Sequence, residues 1–207
     1  MAVTDRGQIV GSSTTASGDA HAFLWQQGRM TDLGTLGGNM SIAYAVNNRG
    51  QVAGKSVTAS GLRRAFLWEE GQMRDLGVLG PSASSIIEAF GVNEQGQIVG
   101  VSWQGSPGIT KWNGFIWQRG GMSALPPESL CSGARAINNA GHVAGHAGIC
   151  LGESVAAMWD RGEAVYLGTL APAGGGNAQA INGRGQIAGG TWAGLIKGYR
   201  AFLWTPR

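Results

Sequence analysis

The sequence predicts an all-β fold: a five-bladed β-propeller of four-stranded repeats whose last blade lacks its outer strand. Two features predict it, namely five copies of a glycine turn motif and five copies of an apolar strand ending in tryptophan. The leading glycines of the turn motif are 43, 46, 45 and 44 residues apart. Four antiparallel strands in each repeat of about 45 residues are typical of propeller blades. A β-solenoid is the alternative, although its coils are usually shorter.

The turn motif joins the first two strands of each repeat. In the second copy Asn47 suits the first position of a type I turn, and Gly50 accepts the positive φ of the last. Apolar residues on both sides predict a hairpin with a glycine bulge. The five copies are VTDRGQIVG (3–11), VNNRGQVAG (46–54), VNEQGQIVG (92–100), INNAGHVAG (137–145) and INGRGQIAG (181–189).

The second repeat illustrates the four predicted strands, called A to D: AYAVN, QVAGKS, AFLW and MRDLG. The AFLW strand is apolar throughout, which is typical of a strand covered on both faces. We therefore expect blades to stack face to face. In the first repeat, Phe23 and Trp25 are expected to face one neighbouring blade, and Ala22 and Leu24 the other.

We assign the repeats to a single propeller domain, 1–207, with boundaries at about 1–42, 43–88, 89–132, 133–177 and 178–207. The fifth repeat carries strands A to C and then ends, three residues after its AFLW copy. Residues 200–204 are therefore expected to lie on an open strand edge. Because an open edge can pair with another chain, it predicts self-association there.

Composition excludes several classes of protein. The chain has 37 glycines and only 13% charged residues, which favours tight turns and covered strands. Its 15 Lys and Arg against 12 acids form no cluster, so we expect no nucleic-acid partner. No apolar stretch reaches the roughly 18–20 residues of a membrane span. No basic and then apolar segment opens the chain, so a signal peptide is not present in it.

The segment HAFLWQQGRMTDLGTLGGNMSIAYAVNNRGQVAGKS, at 21–56, resembles the HAF repeat, a family of extracellular bacterial repeat proteins. The resemblance covers the whole chain in weaker form. Arg64 and Arg200 replace the His21 of the motif, the third repeat has SALPPES for DLGTLGG, and the fourth loses its Phe. The resemblance implies a repeat architecture and an extracellular or cell-surface location, but no reaction.

The acidic and histidine residues do not form a recognisable catalytic or metal site. Asp32 and Asp75 occupy the same repeat position, whereas a glycosidase needs two carboxylates in different roles. We expect them to be turn groups. His142 and His146 lie four apart on one strand, about 13 Å from each other, too far to share one metal. We therefore expect no catalytic residue, no metal and no cofactor.

The two cysteines flank the turn of the fourth repeat at similar distances from its centre near residue 140. A disulfide between Cys131 and Cys150 is therefore geometrically plausible and would fit an oxidising compartment. The alternative is two buried free thiols.

Three tryptophans outside the AFLW copies give the functional hypothesis. Trp103 and Trp192 follow strand B, and Trp112 lies in the longest B–C connection. In a four-stranded meander, the B–C and D–A connections emerge at the same end, so these indoles share a face with Asn39 and Asn177 of the glycine-rich loops. Exposed aromatic rings among small polar residues suit sugar rings or a protein partner. The alternative is that each indole packs over its own loop.

The sequence thus predicts a non-catalytic recognition module that binds a glycan at this loop face. A structural scaffold for protein–protein assembly at the cell surface is the alternative. A glycoside hydrolase or other hydrolase is the third hypothesis.

Overall fold

The structure, a computed structural model, describes residues 1–80, 86–106, 109–127, 131–150, 153–169, 174–192 and 198–206. Every helix or strand assigned in these ranges is a β-strand, which confirms the predicted all-β class. No helix that could cross a membrane occurs among them. The nineteen strands form five successive antiparallel units of four, four, four, four and three strands.

The strands follow one another in the order that the repeats predict. Unit one contains β1 (Ala2–Val3), β2 (Ile9–Thr14), β3 (Ala20–Gln26) and β4 (Arg29–Asp32). Unit two contains β5 (Gly37–Val46), β6 (Val52–Thr58), β7 (Arg63–Glu69) and β8 (Gln72–Asp75). Unit three contains β9 (Ile86–Val92), β10 (Ile98–Ser106), β11 (Ile109–Gln118) and β12 (Gly121–Ala124). Unit four contains β13 (Cys131–Ile137), β14 (Val143–Gly148), β15 (Ser154–Asp160) and β16 (Glu163–Tyr166). Unit five contains β17 (Gly175–Ile181), β18 (Ile187–Trp192) and β19 (Tyr199–Trp204).

The approximate repeat boundaries at 42/43, 88/89, 132/133 and 177/178 each fall inside the first strand of a unit. The glycine-rich segments were expected to be loops, but they continue the sheet. Gly37 pairs with Thr58, with a register shift before Ser41, and Gly175 pairs with Trp192, so both segments take part in strand pairing. Residues 171–173 of the second segment lie outside the described residues.

Two turn types build each unit. At the A–B turn, the Gly50 N–H donates to the Asn47 carbonyl at 3.0 Å, and Gly50 has a φ of 81°. This is the type I turn expected from the Asn and Gly of the motif. At the C–D turn, Glu70 and Gly71 both have positive φ, at 51° and 82°. Two consecutive positive φ values indicate the type I′ turn of a two-residue hairpin.

A β-bulge in strand A explains the glycine that ends the second to fifth copies of the turn motif. The pairing register of β9 with β10 shifts next to Gly100, where the β9 backbone bends toward β10. A Cβ at Gly100 would collide with the carbonyl oxygen of Glu88. The corresponding glycines Gly54, Gly145 and Gly189 face the carbonyls of Ile42, Gly133 and Asn177 in the same way. The motif therefore needs a residue without a side chain here.

The hydrophobic core consists of four clusters, one between each pair of consecutive units. Each unit presents a leading face to the preceding unit and a trailing face to the following one. In unit two, Phe66 packs against Val10 and Leu24 of unit one, whereas Leu67 packs against Phe115 of unit three. The prediction that Phe and Ala-Leu positions face opposite neighbours is therefore confirmed.

A ladder of asparagine side chains also links consecutive units. The Asn47 side-chain NH2 donates to the Asn93 carbonyl at 2.9 Å, Asn93 donates to Asn138 at 3.1 Å, and Asn138 donates to Asn182 at 3.1 Å. Each side-chain oxygen meanwhile accepts two backbone N–H groups of its own turn. The motif asparagine thus shapes its own turn and fixes it to the next unit.

The series of sheets is open in the described part of the chain. A single parallel bridge between Ala20 and Met40 joins the first two units. Strand β1 pairs only with β2, and β19 pairs only with β18. Residues 200–204 therefore form an edge strand, as predicted. The strand pairing of the described residues does not by itself establish a closed ring of five blades.

Candidate functional site

The predicted tryptophans lie on paired strands. Trp103 and Trp112 were expected in a loop after strand B, but β10 and β11 extend far enough to make them directly opposed cross-strand partners. The prediction of a long loop there is wrong because backbone pairing continues to Ser106 and Ile109. Both tryptophans are half-buried. Opposed residues of an antiparallel pair lie about 4.5–5.5 Å apart at Cβ, so the two indoles are neighbours.

Unit five repeats this arrangement with a different aromatic pair. Trp192 is directly opposite Tyr199 on β18 and β19. In both units the pair lies five positions from the same cross-strand contact, Ile98–Trp117 or Ile187–Trp204. The corresponding pairs in the other units lack aromatic rings: Thr14–Ala20, Val57–Arg63 and Gly148–Ser154. Tyr199 was missed by the sequence analysis, although counting five residues back from Trp204, as from Trp117 to Trp112, would have found it.

A groove of about 590 Å³ opens beside the Trp192–Tyr199 pair, a volume within the usual range for small-ligand sites. The start of strand A, the end of strand B and the start of strand C line it, together with the start of strand C from unit four. The B–C and D–A ends of the units therefore lie together, as expected. Gly176 and Gly190 leave its wall free of side chains.

Polar groups accompany the aromatic rings in this groove. Asn177, Gln179 and Glu153 line it. The Asn177 side-chain oxygen is buried and makes no hydrogen bond of normal geometry with the described residues. Tyr199 is 84% exposed, whereas Trp192 is half-buried. The groove thus combines a half-buried indole, an exposed phenol and the exposed polar side chains of Gln179 and Glu153.

Of the five predicted ligand residues, the structure brings Trp192 and Asn177 together in the groove of unit five. Trp103 and Trp112 form the separate pair in unit three. Asn39 is exposed on β5 of unit two and does not line this groove. The five residues therefore do not form one site.

A row of strand A side chains continues from the groove toward unit two. Tyr44, Phe90, Arg135 and Gln179 each occupy the bulge position of their strand. The Tyr44 and Phe90 ring centroids are 5.2 Å apart, and the Arg135 guanidinium lies 4.5 Å from the Phe90 centroid. Lys55 and Glu88 form an ion pair of 2.7 Å beside them. This row fixes the inner strands of units two to four against one another.

The two histidines of unit four have different surroundings, and His142 lies just before β14. His142 forms a 3.5 Å pair with Asp160. Burial and the neighbouring Arg135 cation outweigh a polar contact with Asn177 and lower the pKa of His146 to about 4. His146 is therefore neutral at pH 7. Among the described residues, no three His, Cys, Asp or Glu side chains gather as metal ligands do.

Asp32 and Asp75 are turn groups. Their side-chain oxygens accept the Gly34 and Gly77 N–H groups at 2.8 Å. Asp32 also pairs with His21 at 2.9 Å. Burial alone would raise the pKa of Asp32, but the Gly34 N–H and His21 lower it overall.

Cys131 and Cys150 form a disulfide in the structure, with their Cα atoms 4.9 Å apart. It closes the far end of the hairpin that carries the turn of unit four. Cys131 pairs with Gly148 in the sheet, so Cys150 lies two residues beyond the direct partner.

Comparison with known proteins supports the fold. No model of a known protein family matches the chain, and no curated protein does. The chain is similar to the β-propeller domain of the Trilobed protease from Pyrococcus furiosus, whose structure is described as having an open velcro topology. The two match with a TM-score of 0.58 and 11% identity over 95% of this chain and 60% of that one. At this identity the similarity shows the fold alone: the chain is a β-propeller protein.

Proposed function

We propose that the protein is a non-catalytic recognition module that binds a glycan in the groove of unit five. The observation that carries the proposal is the opposed Trp192–Tyr199 pair beside a groove that the exposed polar side chains of Gln179 and Glu153 line. Aromatic faces cover the apolar C–H faces of sugar rings, while amide and carboxylate groups bind hydroxyls. The Trp103–Trp112 pair of unit three provides a second site of the same kind.

The wider setting follows from the repeats. The five units are the five blades of a propeller whose ring is open between units five and one. The resemblance to the HAF repeat and the Cys131–Cys150 disulfide support an extracellular or cell-surface location, since disulfides persist in oxidising compartments.

The contacts of two histidines bear on one form of the hydrolase hypothesis, in which an imidazole activates a nucleophile. In the described residues, His21 contacts Asp32 and His142 contacts Asn138 and Asp160. Neither imidazole has a hydroxyl or thiol partner that it could activate as a nucleophile. Assembly of proteins at the cell surface is the second candidate function, because the open edge of β19 favours association.

A glycan array followed by calorimetric titration of the best ligand tests the proposal. Trp192→Ala is expected to weaken binding by more than about tenfold, the loss expected of a truncated aromatic anchor. Tyr166→Ala is the matched control, because Tyr166 is an exposed aromatic residue of unit four that does not line the groove.

Trp103→Ala is expected to remove a second, independent set of binding sites and leave the first unchanged. A folded wild-type protein that binds no glycan on the array would rule out the glycan ligand and favour the scaffold. Hydrolysis of the bound glycan would instead favour the third hypothesis.

A further inference from the structure

The trailing face of unit five is uncovered. Its members are Ala188, Ala201 and Leu203, all exposed, with Leu203 68% exposed. The same positions in unit two are Ala53, Ala65 and Leu67, which are at most 2% exposed because unit three covers them. Unit five thus presents to solvent an apolar face of the kind that is buried in the units before it.

The leading face of unit one is uncovered as well. Ile9, Phe23 and Met30 occupy the positions of Val52, Phe66 and Met73. In unit two these three side chains pack against unit one. In unit one Met30 is 55% exposed, and Ile9 and Phe23 are only half-buried.

The hydrogen-bond ladder ends with complementary free groups. The Asn182 side-chain NH2 donates to Gln186 but, unlike Asn47, Asn93 and Asn138, to no further unit among the described residues. At the other end, the Thr4 carbonyl accepts the Gly7 N–H, as the Asn93 carbonyl accepts the Gly96 N–H, but it has no asparagine donor. The Asn182 side-chain NH2 and the Thr4 carbonyl are therefore the donor and the acceptor at the two ends of this ladder.

A second ladder has matching ends. The Asp5 N–H donates to the side chain of Asn48, the Asn48 N–H to Glu94, and the Glu94 N–H to Asn139. Gly183 occupies this position in unit five, and its N–H has no acceptor among the described residues. Asp5 Oδ2 accepts the Asn48 side-chain NH2 at 3.0 Å, and its other oxygen is the acceptor that a following unit would offer.

We propose that the trailing face of unit five binds the leading face of unit one of a second copy of this chain. The occupant follows from the repeat, since the four internal interfaces join these same two faces in this same order. In the dimer, Leu203 packs against Phe23 and Met30, Asn182 donates to Thr4, and Gly183 donates to Asp5. The association is head-to-tail, so further copies can add until a ring closes.

Sedimentation velocity over a wide range of protein concentration tests the proposal. The wild type is expected to associate reversibly, whereas Leu203→Arg and Met30→Arg are each expected to weaken association more than about tenfold, because each buries an unpaired charge. Both side chains are exposed in the single chain, so the variants are expected to fold. Ile149→Arg is the matched control, because Ile149 is 70% exposed in unit four, outside both faces.

Mixing the two variants provides the sharper test. Leu203→Arg keeps an intact leading face and Met30→Arg an intact trailing face, so an equimolar mixture is expected to form a one-to-one dimer and nothing larger. A wild type that stays monomeric overturns the proposal, whether the faces stay open or unit five closes onto its own unit one. Association of the wild type without heterodimer in the mixture also overturns it, and points to edge pairing of β19.

Discussion

At the scale of single residues, the motif asparagine both accepts hydrogen bonds within its own turn and donates one to the next unit. In Asn93, the side-chain oxygen accepts the Gln95 and Gln97 N–H groups, while the NH2 reaches Gln97 and the carbonyl of the next unit. Aspartate would keep the acceptor and lose both donors, and serine is too short for the second contact. The repetition of Asn in the motif is therefore a consequence of hydrogen-bond geometry.

Asn93→Ala is expected to lower the free energy of unfolding by about 3 kcal/mol, because two backbone N–H groups lose their acceptor and one buried link between units is lost. Asn182→Ala is the control, since its turn has the same local bonds but is exposed and lacks the link. It is expected to cost about 1 kcal/mol. Urea denaturation in dilute solution measures both, and equal losses would show that the link contributes nothing.

His146 makes stability depend on pH. The pKa of His146 is about 4 in the folded protein and near 6.5 in the unfolded chain. Between these two pH values the unfolded chain binds a proton at His146 and the folded protein does not. The stability that neutral His146 allows is fully present above pH 6.5 and is lost as the pH falls toward 4. The loss is at most about 3 kcal/mol. In His146→Gln this part of the pH dependence is expected to disappear, while that from the carboxyl groups remains. Parallel stability curves for the two proteins between pH 7 and 4 would contradict the assignment.

At the scale of strands, the bulge in strand A and the glycine of strand B that faces it depend on each other. The bulge brings the strand A backbone toward strand B, and only glycine leaves room there. The bulge also turns the side chains of Tyr44, Phe90 and Arg135 into one row, where they pack on each other. A change at the glycine therefore disturbs both the ladder and the packing between units.

Gly100→Ala is expected to destabilise the fold by about 3 kcal/mol or more, because the backbone must move to relieve the contact with the Glu88 carbonyl. Gly121→Ala is the control, since a Cβ there meets only the Gln118 carbonyl at 3.9 Å and φ is not positive. Its effect is expected to stay below about 0.5 kcal/mol. Thermal unfolding followed by circular dichroism compares the two, and similar midpoints would refute the steric argument.

At the scale of the whole molecule, much of the fold could be predicted because its determinants are local and repeated. The Asn47–Gly50 turn and the alternation of Phe66 and Leu67 between two neighbours follow from turn chemistry and from the two-residue period of strands. The same motifs recur in every repeat, so a divergent copy such as AAMW could still be assigned to strand C.

The candidate site was harder to predict because it depends on register between strands. Trp103 and Trp112 are nine residues apart in the chain and directly opposed in the sheet, and nothing local in the sequence states that pairing. Tyr199 could have been found only by comparing repeats, because it lies five residues before Trp204 as Trp112 lies five before Trp117. The stacking of Phe90 and Arg135 depends on the bulge and on the rotation between units, which a sequence pattern does not encode.

The stacked units have a graded stability. Units two to four are covered on both faces, whereas units one and five are each covered on one. Because each unit is stabilised mainly by its neighbours, the terminal units are expected to open before the whole molecule unfolds. Backbone amides of β18 are therefore expected to exchange hydrogen at least about tenfold faster than the corresponding amides of β6, for a difference of about 1.4 kcal/mol or more.

Hydrogen exchange followed by mass spectrometry at low protein concentration measures this gradient, with β6 and β14 as internal references. Raising the concentration is expected to protect β18 and β2 together and to leave β14 unchanged, because each head-to-tail contact covers the trailing face of one copy and the leading face of another. Leu203→Arg is expected to abolish that concentration dependence without removing the gradient. Uniform exchange rates in all five units at low concentration would mean that the terminal faces are already covered within one chain.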